Sequence, residues 1–300
     1  MTITDFCKGR VIVSQRSEAI VEDIDGRLMT CKRKKGLGRP LCGDIVEWFE
    51  VNDREGIIDK IQSRKNVLER PDSRGKIKAI AANIDQMIIV CAPLPKIQTE
   101  LIDRYITAAI NLNIPPLLVI NKADILQGEE QEFINSIAED YRKIGINLQQ
   151  TSIKTGAGID VLEQAVFGRV NILVGQSGVG KSSIIKHLIP DLEIRIGRIS
   201  DYSGEGKHTT TETTLYRIGE KGAVIDSPGV RAFRLYNLQE EAIVRGFPEF
   251  ADYSDNCRYH NCRHVNEPGC AVIEAVEHSL IPETRLQSYH KIIDSVKGRY

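Results

Sequence analysis

The sequence lacks any long apolar run. No stretch of it approaches the roughly 18 consecutive apolar residues that a membrane-spanning helix requires. The first residues, MTITDFCKGR, have no apolar core of the kind found in secretory signals, so we do not expect secretion. Charge of one sign is not in excess either, because 40 Lys and Arg stand against 41 Asp and Glu. We therefore expect no membrane partner, and the overall charge does not by itself indicate nucleic-acid binding.

Regularly spaced cysteine pairs are missing from most of the chain. Seven cysteines are an odd number, and four of them are scattered, at Cys7, Cys31, Cys42 and Cys91. This usage fits a reducing compartment, in which clustered thiols bind metal rather than form disulfides.

Residues 9–68 read as short strands separated by turns, one of them at Asp25-Gly26. About five short strands in this length predict a small OB-fold barrel at residues 1–68. The basic run KRKKGLGR, Lys32 to Arg39, has two interpretations: a solvated hairpin loop, or a patch that contacts phosphates. A polar linker is expected at residues 69–76, where proline and glycine occur.

Strands alternate with helices in residues 77–236, which predicts a mainly parallel α/β sheet. Within this domain, TLYRIGEKGAVIDSPG is expected to be a hairpin that turns near Lys221-Gly222. The remaining residues, 237–300, contain three cysteines and a final helix from Pro282. The apolar face of that helix indicates packing rather than a functional site.

A phosphate-binding loop of the form G-x-x-x-x-G-K-[ST] follows the apolar strand NILVG. Glycines allow backbone N–H groups to turn towards phosphate oxygens, and the next helix presents its N-terminus to the anion. Lys181 can bridge the β- and γ-phosphates during the reaction, and Ser182 can bind Mg²⁺. The alternative is a glycine-rich turn before a helix. The predicted nucleotide contacts are Gly175, Gln176, Ser177, Gly178, Val179, Gly180, Lys181, Ser182 and Ser183.

The segment Asn121-Lys122-Ala123-Asp124 follows another predicted strand and has the pattern N-K-x-D. The Asp124 carboxylate can accept hydrogen bonds from both N1–H and the 2-amino group of guanine, neither of which adenine offers. Lys122 can lay its stem along the base, and Asn121 can tie neighbouring loops together. Alone, a four-residue pattern would be an ordinary exposed loop.

Further segments support a guanine nucleotide. Ser152-Ile153-Lys154 resembles the S-A-K loop that supports guanine in GTPases, and Asp226-Ser227-Pro228-Gly229 resembles the D-x-x-G motif. Asp226 would hold Mg²⁺ through water, and the Gly229 N–H would face the γ-phosphate. The intervening stretch GRISDYSGEGKHTTTETT is polar and glycine-rich, as a switch loop is. Its Mg²⁺ ligand is expected among Thr209, Thr210 and Thr211, with Thr210 preferred.

The order of these motifs is unusual, because the base reader precedes the phosphate loop. Cutting an ordinary GTPase before its base reader and joining the old ends produces this order, which close termini make tolerable. The predicted fold class is thus multidomain α/β: an OB-fold β-barrel, a circularly permuted P-loop GTPase domain and a C-terminal zinc-binding domain with helices.

The sequence lacks one catalytic residue that many GTPases have. The position after D-x-x-G is Val230 rather than the glutamine that orients the attacking water. We expect slow intrinsic hydrolysis that a partner accelerates. His208 is a candidate for the missing catalytic group, and an exposed loop histidine is an equal alternative.

The last cysteines lie in CRYHNCRHVNEPGC. Three Cys and one His within this segment suit a closed, structural Cys₃His zinc site. The predicted ligands are Cys257, Cys262, His264 and Cys270, with His260 as a rival for the histidine position. Free thiols in a loop are the alternative.

The combination of barrel, permuted motifs and C-x₄-C-x-H-x₅-C resembles the family of ribosome small-subunit-dependent GTPase A over nearly the whole chain. Ile153 departs from a common Ala, and Lys207 from a frequent Arg. The resemblance implies a cytoplasmic bacterial GTPase that uses GTP, Mg²⁺ and one zinc. It also implies late maturation of the small ribosomal subunit, contact with its rRNA and stimulation by it, and we default to a monomer. A GTP-dependent binding module with another partner and a metabolic kinase are the competing classes; NKAD and DSPG argue against the kinase.

Overall fold

The computed structural model describes residues 6–71, 76–203, 213–219, 222–226 and 240–297. Their strands are β1 (Cys7–Ser14), β2 (Glu18–Asp23), β3 (Leu28–Arg33), β4 (Ile45–Glu50), β5 (Glu55–Ile61), β6 (Val67–Pro71), β7 (Ile77–Ala82), β8 (Gln86–Cys91), β9 (Pro116–Ile120), β10 (Asn147–Gln150), β11 (Val170–Val174), β12 (Thr214–Ile218) and β13 (Gly222–Asp226). Their helices are α1 (Thr99–Asn111), α2 (Gly128–Lys143), α3 (Ile159–Val166), α4 (Lys181–Leu188), α5 (Leu192–Ser203), α6 (Glu240–Arg245), α7 (Ala251–Ser254), α8 (Ala271–Glu277) and α9 (Glu283–Lys297).

The chain divides into two compact units, each assembled from separate stretches of sequence. The first unit comprises Met1–Met87, Ile159–Leu173 and Lys181–Ala232. The second comprises Ile88–Gly158, Val174–Gly180 and Phe233–Tyr300.

The first unit contains a closed five-stranded barrel. Strand β1 pairs with β2, β2 with β3, β3 in parallel with β5, β5 with β4, and β4 returns to β1. Closure removes the exposed strand edges that a short sheet would otherwise present to other chains. The expected OB-like barrel is therefore confirmed.

Trp48 fills the centre of this barrel and is 1% exposed. A Cβ at Gly56 would lie 2.8 Å from Trp48 Cε3, so only glycine allows β5 to approach the indole. Alternate residues of the strands complete the core, in the pattern that a half-buried strand produces. The surrounding core residues are Val11, Ala19, Val21, Met29, Cys31, Val46 and Ile58.

The rest of the first unit extends from the barrel's first strand. Strand β12 pairs antiparallel with both β1 and β13, as the expected hairpin requires, and β13 runs parallel to β11. One expectation is wrong: Gly197–Ser203, placed in the switch loop, belongs to helix α5. Contacts with the barrel explain the helix, because Thr30 Oγ1 donates to the Tyr202 carbonyl at 3.1 Å and Arg54 lies over the Tyr202 ring.

In the second unit, strands follow the order β10-β9-β8, with β10 parallel to β9. Strands β8 and β9 are largely apolar, and Met87 to Val90 and Leu118 to Ile120 are fully buried. Strand β10, NLQQ, is polar and partly exposed. Helix α1 packs against α9 and α6, which brings the C-terminal helices against the α/β part of this unit.

A buried ionic cluster holds α9 in the second unit. Arg285 is 1% exposed; it donates to Asp103 at 2.5 Å and to Glu249 at 2.6 Å. Tyr141 also donates to Asp103, at 2.7 Å. Burial alone would lower the pKa of Arg285, but Asp103 and Glu249 outweigh it and raise the pKa above its ordinary value. Such a charge is tolerated only because it is paired, so this arginine fixes where α9 docks.

The predicted boundaries at residues 68, 76 and 236 stay predictions. Part of the expected linker, residues 69–71, lies in strand β6, which pairs antiparallel with β7. Among the described residues, no helix has both the length and the apolar surface needed to cross a membrane.

A candidate nucleotide site and a candidate metal site

The loop between β11 and α4 has a positive φ at three glycines. Gly175 has φ 137°, Gly178 has φ 84° and Gly180 has φ 96°. A Cβ at Gly175 would collide with the Val90 carbonyl oxygen, and one at Gly180 would collide with Nδ2 of Asn121. The glycines therefore serve close packing as well as the turn of the loop.

The other residues of this loop differ in solvent exposure. Val179 is buried, Gln176 is half-buried, and Ser177 and Gly178 are exposed. Tyr105 supports the loop from α1, since it accepts a hydrogen bond from the Gly175 N–H; burial nevertheless raises the pKa of this phenol to about 12.

The base-reading loop, Asn121–Asp124, is bonded directly to the phosphate loop. Nδ2 of Asn121 donates to the Val179 carbonyl at 2.9 Å. Lys122 adopts the left-handed conformation, and its Nζ donates to the Gly178 carbonyl at 2.6 Å. Two motifs separated by more than fifty residues of sequence are thus joined directly through side chains.

Asp124 is held by the loop that follows β10. Ser152 Oγ donates to its Oδ1 at 2.6 Å, and Lys154 Nζ lies 3.8 Å from Oδ2. The hydrogen bond from Ser152, with a smaller contribution from Lys154, lowers the pKa of Asp124. The carboxylate is therefore kept ionised, as pairing with two guanine N–H donors requires. Ile153 is half-buried in the same turn and contributes no polar side-chain atom.

The remaining nucleotide residues belong to the first unit. Lys181, Ser182 and Ser183 form the first turn of α4, and Asp226 is the last residue of β13. Because β13 is parallel to β11, Asp226 lies at the carboxyl edge of this pair, where ligand sites of α/β sheets occur. His208, Thr210 and Gly229 lie outside the described residues.

The four expected zinc ligands come together in the second unit. Their ligand atoms all lie within 4.8 Å of one another. His264 Nδ1 is 3.3 Å from Cys270 Sγ and 3.7 Å from Cys257 Sγ, and the two sulfurs are 4.0 Å apart. Tetrahedral zinc with bonds of about 2.0–2.3 Å implies edges of about 3.5–3.8 Å, so the donor set fits zinc. His260 is exposed and is not in this cluster.

Surrounding groups orient this cluster, the Cys₃His segment (Cys257–Cys270). His264 Nε2 lies 3.4 Å from Ser254 Oγ, which leaves Nδ1 to face the sulfurs. Glu267 accepts hydrogen bonds from three backbone N–H groups of the segment. Burial would raise the pKa of Glu267, but these bonds lower it to about 2. Burial raises the pKa of Cys270 to about 12, so metal must displace protons from these thiols.

Sequence motifs do not identify three residues that support these sites: Tyr105, Leu94 and Glu267. Neither their residue types nor their spacing in the sequence indicates a supporting role. For Tyr105 the available signal is the apolar period of α1, whose buried residues include Ile102 and Ile106. Leu94 contributes a carbonyl, which any residue could supply, and Glu267 acts through backbone bonds.

Comparison with known proteins gives a consistent answer. Residues 61–236 match the family model described as RsgA GTPase. A relative from Yersinia enterocolitica, the small ribosomal subunit biogenesis GTPase RsgA, is 42% identical over 98% of this chain and 86% of its own length. The similarly described RsgA 1 of Vibrio vulnificus is 43% identical over 97% of this chain and 84% of its own length.

Two solved structures share the fold. YjeQ from Thermotoga maritima superposes with a TM-score of 0.81 at 30% identity, covering 99% of this chain and all of that one. YloQ, described as a circularly permuted GTPase, gives a TM-score of 0.79 at 27% identity, covering 99% of this chain and 96% of its own. The expected permuted order and multidomain α/β class are confirmed.

Proposed function

The chain belongs to the RsgA GTPase family, and from that membership we propose that it acts in biogenesis of the small ribosomal subunit, with GTP hydrolysis stimulated by the subunit. The protein is a GTP hydrolase that binds GTP, GDP and Mg²⁺. The contact that carries the proposal is between Asn121 and Val179, because it joins a guanine-reading loop to a phosphate loop.

Residue roles within this site are part of the proposal. Asp124, supported by Ser152 and Lys154, would select guanine. Gly175–Ser183 would bind the phosphates, with Lys181 contributing to turnover. Mg²⁺, which neutralises phosphate charge when bound, would be held by Ser182 and Thr210, with Asp226 acting through water and Gly229 binding the γ-phosphate.

The catalytic contribution of His208 is a separate proposal. Its support is the sequence position after the phosphate loop and the Val230 that replaces a water-orienting glutamine. His208→Ala should reduce subunit-stimulated turnover about 100-fold with little change in GTP affinity. Unchanged stimulated turnover would leave His208 as an exposed loop histidine.

The barrel is the part of the protein that we propose to contact rRNA. Four successive basic residues, Lys32 to Lys35, are exposed on it. Some of this charge is paired within the barrel, since Lys34 bonds Asp59 at 2.6 Å. The proposed arrangement has a barrel at 1–68, a linker at 69–76, a GTPase domain at 77–236 and a zinc-binding domain at 237–300, working as a cytoplasmic monomer.

The decisive experiment measures GTP hydrolysis by the protein alone, with small ribosomal subunits, and with an equal mass of unrelated structured RNA. Strong stimulation by subunits alone is expected. Equal stimulation by any RNA, or none by subunits, would favour a GTP-dependent binding module whose partner is not the ribosome.

A further inference from the structure

An apolar groove of about 440 Å³ lies beside the base-reading loop. Its floor includes Ile134, which is 1% exposed. One wall comes from the loop after β8 and the other from the start of α2. The lining residues are Pro93, Leu94, Lys96, Ile97, Leu126, Glu129, Glu130, Phe133 and Ile134.

Two large apolar side chains of this groove face solvent. Leu94 is 62% exposed and Phe133 is 43% exposed. Ile125, between the base-reading loop and α2, is 38% exposed. A concave surface with several exposed apolar side chains is typical of a site that another molecule covers, because exposed apolar residues on a protein surface usually occur singly.

The rim of the groove is acidic. Glu129 and Glu130 line it and are exposed at the start of α2, whereas Lys96 is the single basic residue in the lining. Nucleic acid would bring phosphates against these carboxylates and would offer no aliphatic anchor. A basic protein segment would satisfy both the carboxylates and the apolar floor.

We propose that this groove docks a basic protein segment that inserts an apolar side chain, and that a protein of the small ribosomal subunit supplies it. The identity of the partner rests on the proposed function. The barrel and this groove then divide the work of recognition, with RNA at the first and protein at the second.

The groove is connected to the nucleotide loops through Lys122. Its Nζ donates to the Leu94 carbonyl at 3.3 Å and to the Gly178 carbonyl at 2.6 Å. A partner that packs on Leu94 restrains the loop to which this lysine is bonded.

A cross-linking experiment tests the occupant. The full chain with Phe133→p-benzoylphenylalanine is bound to purified small subunits with a non-hydrolysable GTP analogue and irradiated. The expected adduct contains a subunit protein and is resistant to ribonuclease. An adduct with rRNA, an adduct with a second copy of this chain, or no adduct from bound protein would overturn the proposal.

Affinity measurements separate this inference from the proposed function. Phe133→Ser should bind small subunits about tenfold more weakly while basal GTP hydrolysis is unchanged. The matched control is Val161→Ser on α3, which replaces an apolar residue that is 51% exposed. Glu129→Gln combined with Glu130→Gln should lower the affinity at low salt and less at high salt. If wild type fails to bind subunits, the proposed function fails; if it binds and Phe133→Ser binds equally well, only the groove proposal fails.

Discussion

The nucleotide loops and the Cys₃His segment both lie in the second unit and both gather polar groups, but protein contacts hold them differently. In the nucleotide loops, Asn121 and Lys122 donate directly to carbonyls of the phosphate loop. In the Cys₃His segment, the ligand atoms of the three cysteines and His264 lie within 4.8 Å of one another, as a tetrahedral zinc site requires. The first region is held by hydrogen bonds between its two loops, whereas the second combines its own hydrogen bonds to Glu267 with four facing ligand groups.

This difference teaches what each region needs in order to form. A loop whose hydrogen bonds are made within the protein is preorganised, and GTP gains affinity because less ordering remains. Three clustered thiols, of which only Cys270 is buried, gain nothing from one another, so their segment depends on metal. Removing nucleotide should therefore leave its loops in place, while removing zinc should release the segment.

The largest effect is expected from Cys262→Ser, which breaks the metal side of the comparison. Bound zinc should fall from about one per chain to near none, because structural zinc needs its full ligand set. Hydrogen exchange across 250–270 should become rapid while exchange at 121–124 is unchanged. Cys7→Ser, at an exposed thiol in the barrel, is the control. Full zinc retention in Cys262→Ser would contradict the assignment.

The second largest effect is expected from Gly180→Ala, which disrupts the contact between the two nucleotide loops. The new methyl group would displace Asn121. Overpacking and positive-φ strain together amount to about 3 kcal/mol, which we expect to weaken GTP binding about 100-fold. Titration calorimetry measures the GTP affinity. Gly145→Ala is the matched control, because its φ is 76° but open space surrounds it. Equal GTP affinities of the two variants would show that the contact is unimportant.

Asp124→Asn tests the selectivity that the same loops provide. Loss of charge-assisted hydrogen bonds should weaken GTP binding about 10- to 100-fold. The introduced amide can donate to the 2-carbonyl of xanthine, so xanthosine triphosphate should bind better than GTP. Because Ser152 lowers the Asp124 pKa, wild-type affinity should show no titration of this group between pH 5 and 8. Retained preference for GTP would remove Asp124 from the base-reading role.

The smallest effect is expected from Glu267→Gln. This change weakens the backbone hydrogen bonds that the Cys₃His segment makes to Glu267, and it leaves the metal ligands in place. The loss should be about 1 kcal/mol of stability, since the site is partly exposed and screened. Backbone hydrogen bonds lower the pKa of Glu267 from 4.5 to about 2, so its contribution to stability is complete above pH 4.5 and is lost as pH falls through 2. Denaturant unfolding of both proteins between pH 5 and 8 should show a constant difference. A difference that grows with acidity would contradict this sign.

Much of the site could be predicted from sequence because its chemistry is written in short contiguous motifs. The G-x-x-x-x-G-K-[ST] loop and C-x₄-C-x-H-x₅-C each place several ligands within one turn or loop. Local spacing then limits where those atoms can lie. The choice of His264 over His260 also follows a local rule, since His264 falls between two cysteines that must meet.

Features that depend on distant contacts could not be predicted. Helix α5 extends through a glycine-containing polar stretch because Tyr202 packs on the barrel. Arg285 looks like an ordinary exposed helical charge in the sequence, yet it is buried against Asp103 and Glu249. In both cases the interacting residues lie far away along the chain, and local helix propensity does not depend on them.

The sequence by itself determined which motifs this protein carries and in which order: the N-K-x-D segment, the G-x-x-x-x-G-K-[ST] loop and the Cys₃His segment. Only the tertiary structure decided that Asn121 and Lys122 bond the phosphate loop, and that Leu94 and Phe133 form an acidic-rimmed groove beside them. The reason is physical: a motif fixes the types and local spacing of groups, whereas the packing of strands and helices brings distant groups within hydrogen-bonding distance.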